Sequence, residues 1–180
     1  NVQEVGVDEA DVVKTDGDLV YLISSPRTTD DDGDDASSAP CERRLSIVDD
    51  SGSKPELVGS VPLDDLVTTP TGLLVQGDVL LVYGTTRLEY VDDGEAAFGD
   101  DWWAASDWWY WDTHQDAVVV LLFDVSDPTS PRLLRRRVHE GVASGTARKI
   151  DDFAYLVVSR TQSWGAVPRS AVPLYRDEIF

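Results

Sequence analysis

The sequence is poor in the residues that make metal and redox centres: one cysteine, two histidines and no methionine in 180 residues. Cys41 alone forms no disulfide within this stretch. With only His114 and His139 to join it, a zinc site built from clustered Cys and His is excluded. Long apolar runs are also missing. None approaches the roughly 18–20 residues that a membrane-crossing helix requires, so no transmembrane segment is expected. Positive charge is scarce: Lys14, Lys54 and Lys149 are the three lysines, and 15 basic residues face 34 acidic ones for a net charge of −19. A surface this negative repels phosphate backbones, which argues against nucleic acid as a partner. It suits a secreted or high-salt setting and attracts divalent cations.

Catalytic signatures are equally thin. Gly141-Val142-Ala143-Ser144-Gly145 places its serine one position too late for a nucleophile elbow, and no glycine-rich phosphate loop precedes a helix. His139, Glu140 and Ser144 assemble into a triad only on paper; a histidine at a strand end accounts for His139 better.

Four short apolar runs are present, at 19–23, 79–83, 117–123 and 153–158. They are rich in Val, Leu and aromatics and bounded by Asp, Gly or Ser, which predicts strands rather than helices. They do not alternate apolar with polar, so both faces of each are expected to be buried. Helices cannot cover those faces between 47 and 82, where Pro55, Pro62 and Pro70 break the register. Small antiparallel sheets stacked radially bury both faces instead.

Two repeating elements support that arrangement. Asp16-Gly17, Gln76-Gly77 and Asp151-Asp152 each separate two apolar segments as tight hairpins. Aligning the turns puts Asp18, Asp78 and Asp152 at one position, spaced by 60 and 74 residues. The second element is a strand, an Asp-Ser-Pro turn and another strand; it appears around Pro55 and again around Pro131, 76 residues later. Setting aside a 16-residue polar insert at about 26–41 and a 32-residue insert at about 85–116 reduces the turn spacings to 44 and 42. Both match the roughly 40–45-residue period of a four-stranded propeller blade. The expected fold is therefore all-β, with about two to three antiparallel four-stranded blades in one partial domain over 1–180.

The opening stretch, Asn-Val-Gln-Glu-Val-Gly-Val-Asp-Glu-Ala-Asp-Val-Val-Lys-Thr-Asp-Gly-Asp at 1–18, closely resembles the signature that opens a family of secreted bacterial and archaeal β-propellers distantly similar to the WD-40 type. The turn Asp124-Val125-Ser126-Asp127-Pro128 and the following Pro131-Arg132-Leu133-Leu134 resemble that family's blade turn. The resemblance implies an extracellular or envelope-anchored propeller and no particular reaction. Propellers of the family run to several hundred residues, so the stretch is expected to be an N-terminal piece. Asp8, Glu9, Asp11, Lys14 and Asp16 carry over as signature positions without an assigned role.

Two further clusters are candidate sites. Asp30-Asp31-Asp32-Gly33-Asp34-Asp35 offers carboxylates to Ca²⁺, with Asp30, Asp32 and Asp34 as the candidate ligands. It fails as an EF-hand, which needs Gly at 35 and Glu at 41 where the chain has Asp35 and Cys41, and a solvated acidic loop explains it as well. No cofactor is firmly implied. Trp102, Trp103, Trp108, Trp109 and Trp111 crowd into ten residues of the second insert. Such rings form either an exposed platform for a protein, carbohydrate or envelope ligand, or a satellite core folded back on the propeller. The expected function is a non-catalytic extracellular scaffold or binding module. Its rival is a hydrolase with carboxylates in the propeller channel, completed by further blades.

Overall fold

A computed structural model describes residues 7–24, 42–89, 114–160 and 175–180, which contain fourteen strands and no α-helix. The first sheet is a four-stranded antiparallel meander of β2 (Val13–Asp16), β3 (Leu19–Ser24), β4 (Arg44–Asp49) and β5 (Glu56–Pro62). The second repeats it with β6 (Thr69–Gln76), β7 (Val79–Glu89), β8 (His114–Asp124) and β9 (Arg132–Glu140), and adds β14 (Tyr175–Ile179) along its outer edge. A third begins with β11 (Arg148–Ile150) and β12 (Phe153–Tyr155), and β1 (Val7–Glu9) pairs with β11 on its inner side. A short pair, β10 (Val142–Ala143) with β13 (Val158–Ser159), lies beside it.

The repeat is visible in backbone detail. The three hairpins close through the two-residue loops Gly17-Asp18, Gly77-Asp78 and Asp151-Asp152. The first loop residue is left-handed in each, with φ of 60° at Gly17, 53° at Gly77 and 51° at Asp151. A left-handed first position matches the right-handed twist of the flanking strands and suits glycine; aspartate is among the few other residues that tolerate it. The Asp18 and Asp78 carbonyls accept equivalent bonds, 2.8 Å each, from the amides of Asp50 and Val125 at the far end of the third strand. The register of β4 against β5 shifts at Val58, and that of β8 against β9 shifts at Leu134, so the same bulge recurs in both sheets. At the adjoining turns Asp49 accepts from the Ser51 amide at 2.8 Å and Asp124 from the Ser126 amide at 3.0 Å. The serine hydroxyl first and then this amide hold each Asp carboxyl below its usual range, and each bond to the amide stops its strand by supplying an acceptor the ladder does not.

The core lies between the sheets. Tyr21, Ile23, Leu45 and Ile47 of the first pack against Leu73, Val75, Leu80, Val82, Leu121 and Phe123 of the second, with Leu63 and Val67 of the connection sealing one end. On the second sheet's other face, Leu74 and Tyr83 pack with Ala147 near the third. The middle sheet is thus buried on both faces, which is why its strands read as unbroken apolar runs.

The run at 153–158 departs from that expectation. Phe153, Tyr155 and Val157 are 66, 53 and 65% exposed. No second sheet among the described residues covers β12, so its apolar side chains face outward. The strands β7 and β8 carry their pairing through Thr85–Glu89 and His114–Asp116 positions, so regular ladder extends into both ends of the stretch at 85–116.

Candidate functional site

The first strands of the three units converge. The backbone of Asp11 bridges to Leu73 of β6, donating at 3.4 Å and accepting at 2.8 Å, and the Ala10 amide donates to the Ala147 carbonyl at 2.9 Å. The 10–12 segment is thereby clamped between the second and third units, with β1 ahead of it on β11 and β2 after it in the first sheet. Where these strands meet, they enclose a polar cleft of about 530 Å³.

Asp8, Asp11, Lys14 and Asp16 all line it, so four of the five signature positions share one wall. Lys14 Nζ donates to Asp8 Oδ1 at 2.6 Å, a half-buried ion pair that ties β2 to β1. Asp11 turns one carboxyl oxygen to the Val12 amide at 2.7 Å. Glu9, the fifth, is absent from the lining and pairs with Arg148 across the β1–β11 ladder at 3.0 Å. Tyr21, opposite Lys14 in the β2–β3 ladder, has its phenol pKa raised, first by burial and then by the carboxylates of Asp16 and Asp78.

Val75, Gln76 and Lys149 complete the wall from the second and third units. Lys149 Nζ reaches the Val75 carbonyl at 3.4 Å, and Gln76 donates from Nε2 to Asp152 Oδ1 at 2.8 Å, so both link neighbouring repeats. The signature alone does not point to these residues. The hairpin repeat does: Thr15, Val75 and Lys149 each stand two residues before the left-handed loop position, and all three line the cleft. Two of the chain's three lysines therefore meet three aspartates here. This wall offers donors and acceptors at fixed spacing to a small polar ligand.

The remaining candidates lie elsewhere. Trp102, Trp103, Trp108, Trp109 and Trp111, and the Ca²⁺ candidates Asp30, Asp32 and Asp34, fall outside the described residues. Among the described residues no group of three or more His, Cys, Asp or Glu is placed to hold a metal ion. No helix there is long and apolar enough to cross a membrane. The paper triad is not brought together: His139 packs on Tyr175 with ring centroids 4.8 Å apart, buried Glu140 pairs with Arg160 at 2.8 Å, and Ser144 Oγ lies 2.8 Å from Ser159 Oγ.

Compared with known proteins, the chain matches a family described as Beta propeller domain over residues 1–178. Neither the curated proteins nor the solved structures give a match.

Proposed function

The chain belongs to the Beta propeller domain family, and from that premise we propose that it is a non-catalytic scaffold or binding module of the cell exterior or envelope, of WD-40-like type, that takes a polar ligand at the cleft between its first strands. One observation carries the reading: three units that are remote in sequence each contribute hairpin residues to a single wall, where two lysines join three aspartates. A net charge of −19 keeps such a surface dispersed outside the cell, where salt screens it. The partner is a protein or a carbohydrate, both of which offer hydroxyl, amide or carboxylate groups to this wall. Immobilised full chain, probed with soluble oligosaccharides and with envelope extracts, should retain a ligand that the Lys149→Met chain releases. Equal retention by both would remove the cleft from the reading. Fractionation of producing cells should place the protein outside the cytoplasm.

A second reading rests on Asp8, Asp11 and Asp16, three carboxylates in the same cleft, as hydrolase groups. Turnover of a chromogenic glycoside or ester panel that disappears in Asp16→Asn would establish it over the first.

A further inference from the structure

The outer edge of the second sheet differs from that of the first. β5 ends its sheet with Pro62, one of the devices that discourage further pairing. β9 contains no proline and carries three consecutive arginines, Arg135, Arg136 and Arg137, in a chain where acids outnumber bases 34 to 15. It takes on a further strand, β14, in antiparallel register from Tyr175 opposite His139 to Ile179 opposite Arg135.

Beyond this ladder and the contact of the Tyr175 ring with His139, β14 is held by ion pairs. Asp177 receives both Nε, at 2.7 Å, and Nη2 of Arg135, with Arg137 Nε 3.5 Å away; on the opposite face Arg136 Nη1 donates to Glu178 at 3.2 Å. No β14 residue joins either core cluster, and Ile179 and Phe180 are 77 and 67% exposed. These ion pairs are only partly buried and no β14 side chain enters the core, so β14 belongs to the less firmly held part of the fold. It also under-serves the strip. Three guanidiniums meet two carboxylates, and β14 brings a fourth guanidinium, Arg176. The Nε atoms of Arg136 and Arg137 are shielded from solvent and make no hydrogen bond among the described residues, Arg137 Nε having only the longer ion pair to Asp177.

We propose that the outer edge of β9 is a docking strip for an extended acidic segment of a partner protein, and that β14 is a built-in occupant which such a segment displaces. The ladder groups of β9 supply affinity through main-chain pairing, and the arginine strip selects acidic side chains on both faces. While β14 is seated, the apparent affinity is reduced by the fraction of chains whose edge is free. This inference stands independently of the cleft.

The probe is a fluorescent heptapeptide with the sequence of 174–180 carrying Arg176→Glu, titrated into the full chain by anisotropy. Saturable binding that weakens with salt is expected. It should tighten about fivefold in the chain carrying Asp177→Asn and Glu178→Gln, which unlatches β14. It should weaken about tenfold in the chain carrying Arg135→Gln and Arg137→Gln. Hydrogen exchange on the unaltered chain gives a second readout: bound peptide should strip protection from the amides of 175–179 while β9 stays protected. Three results would each overturn the proposal. They are equal binding of a peptide also neutralised at Asp177 and Glu178, β14 amides as slow to exchange as those of β8, and a dimer formed by exchange of β14, which would assign the edge to a second copy.

Discussion

Gly59 of β5 lies against the carbonyl of Pro128, in the turn that follows β8, so closely that a Cβ on Gly59 would come within 1.9 Å of that oxygen. The contact joins the outer strand of the first sheet to the turn of the second, and backbone on both sides leaves nothing flexible to give way. Gly59→Ala should therefore lower unfolding free energy by about 1–3 kcal/mol, the usual cost of overpacking. Urea denaturation measures it, and an unchanged midpoint would show that the sheets can slide apart.

Asp151 holds the left-handed position that Gly17 and Gly77 hold in the other hairpins. Asp151→Gly should relieve that strain and raise stability by about 0.5–1 kcal/mol, net of the greater freedom glycine gives the unfolded chain. Gly77→Ala, where open space surrounds the missing Cβ, should cost about 1 kcal/mol through φ alone. A shared sign for the two changes would refute the equivalence of the turns.

Phe123 and Phe153 look alike in sequence, each within a short apolar run. Phe123 is fully buried between the first two sheets, whereas Phe153 is exposed on β12. Phe123→Ala should cost about 3–5 kcal/mol in thermal or chemical melts. Phe153→Ala should change stability by no more than about 0.5 kcal/mol. Similar losses at both would place a covering layer on β12.

His139 has its pKa lowered, first by burial and then by the positive charge of Arg137, with Asp177 pulling the other way and the Tyr175 ring tilted against it. The folded chain thus binds the proton less readily than the unfolded chain. Stability should be full above the ordinary histidine range near 6.5 and fall as pH drops below it. NMR titration of the His139 ring should give a midpoint below that value, and His139→Gln should flatten the fall. A midpoint above it would reverse the assigned cause.

Much of the fold is legible in residues 12–24, 44–62 and 114–134 because turn chemistry is local. Asp-Gly and Asp-x-Ser fix their loops whatever surrounds them, and a strand buried on both faces must be apolar throughout. The cleft was half legible. The opening signature singled out Asp8, Asp11, Lys14 and Asp16, but Lys149 and Gln76 reach the same wall only through the way three hairpins stack. That stacking is set by contacts such as Ala10 to Ala147, between residues more than a hundred positions apart, for which short-range pattern carries no signal. The departure of Glu9 toward Arg148 has the same origin: on β1 its side chain points away from that of Asp8, so the cleft takes Asp8 and the opposite face of the strand takes Glu9.

Thr15, Val75 and Lys149 occupy one position of the hairpin repeat and line a common space, Val75 with its side chain packed in the core and its carbonyl accepting from Lys149 Nζ. The turns that hold them are specified by their neighbours, not by these side chains. The sectors held by Thr15 and Lys149, which lie outside the core, can therefore be rewritten by a single residue while the ladder beneath stays intact. Under the proposed binding role the cleft would act as a dial set by its surface positions in different repeats, its preference for a ligand being their combination rather than the property of any one strand.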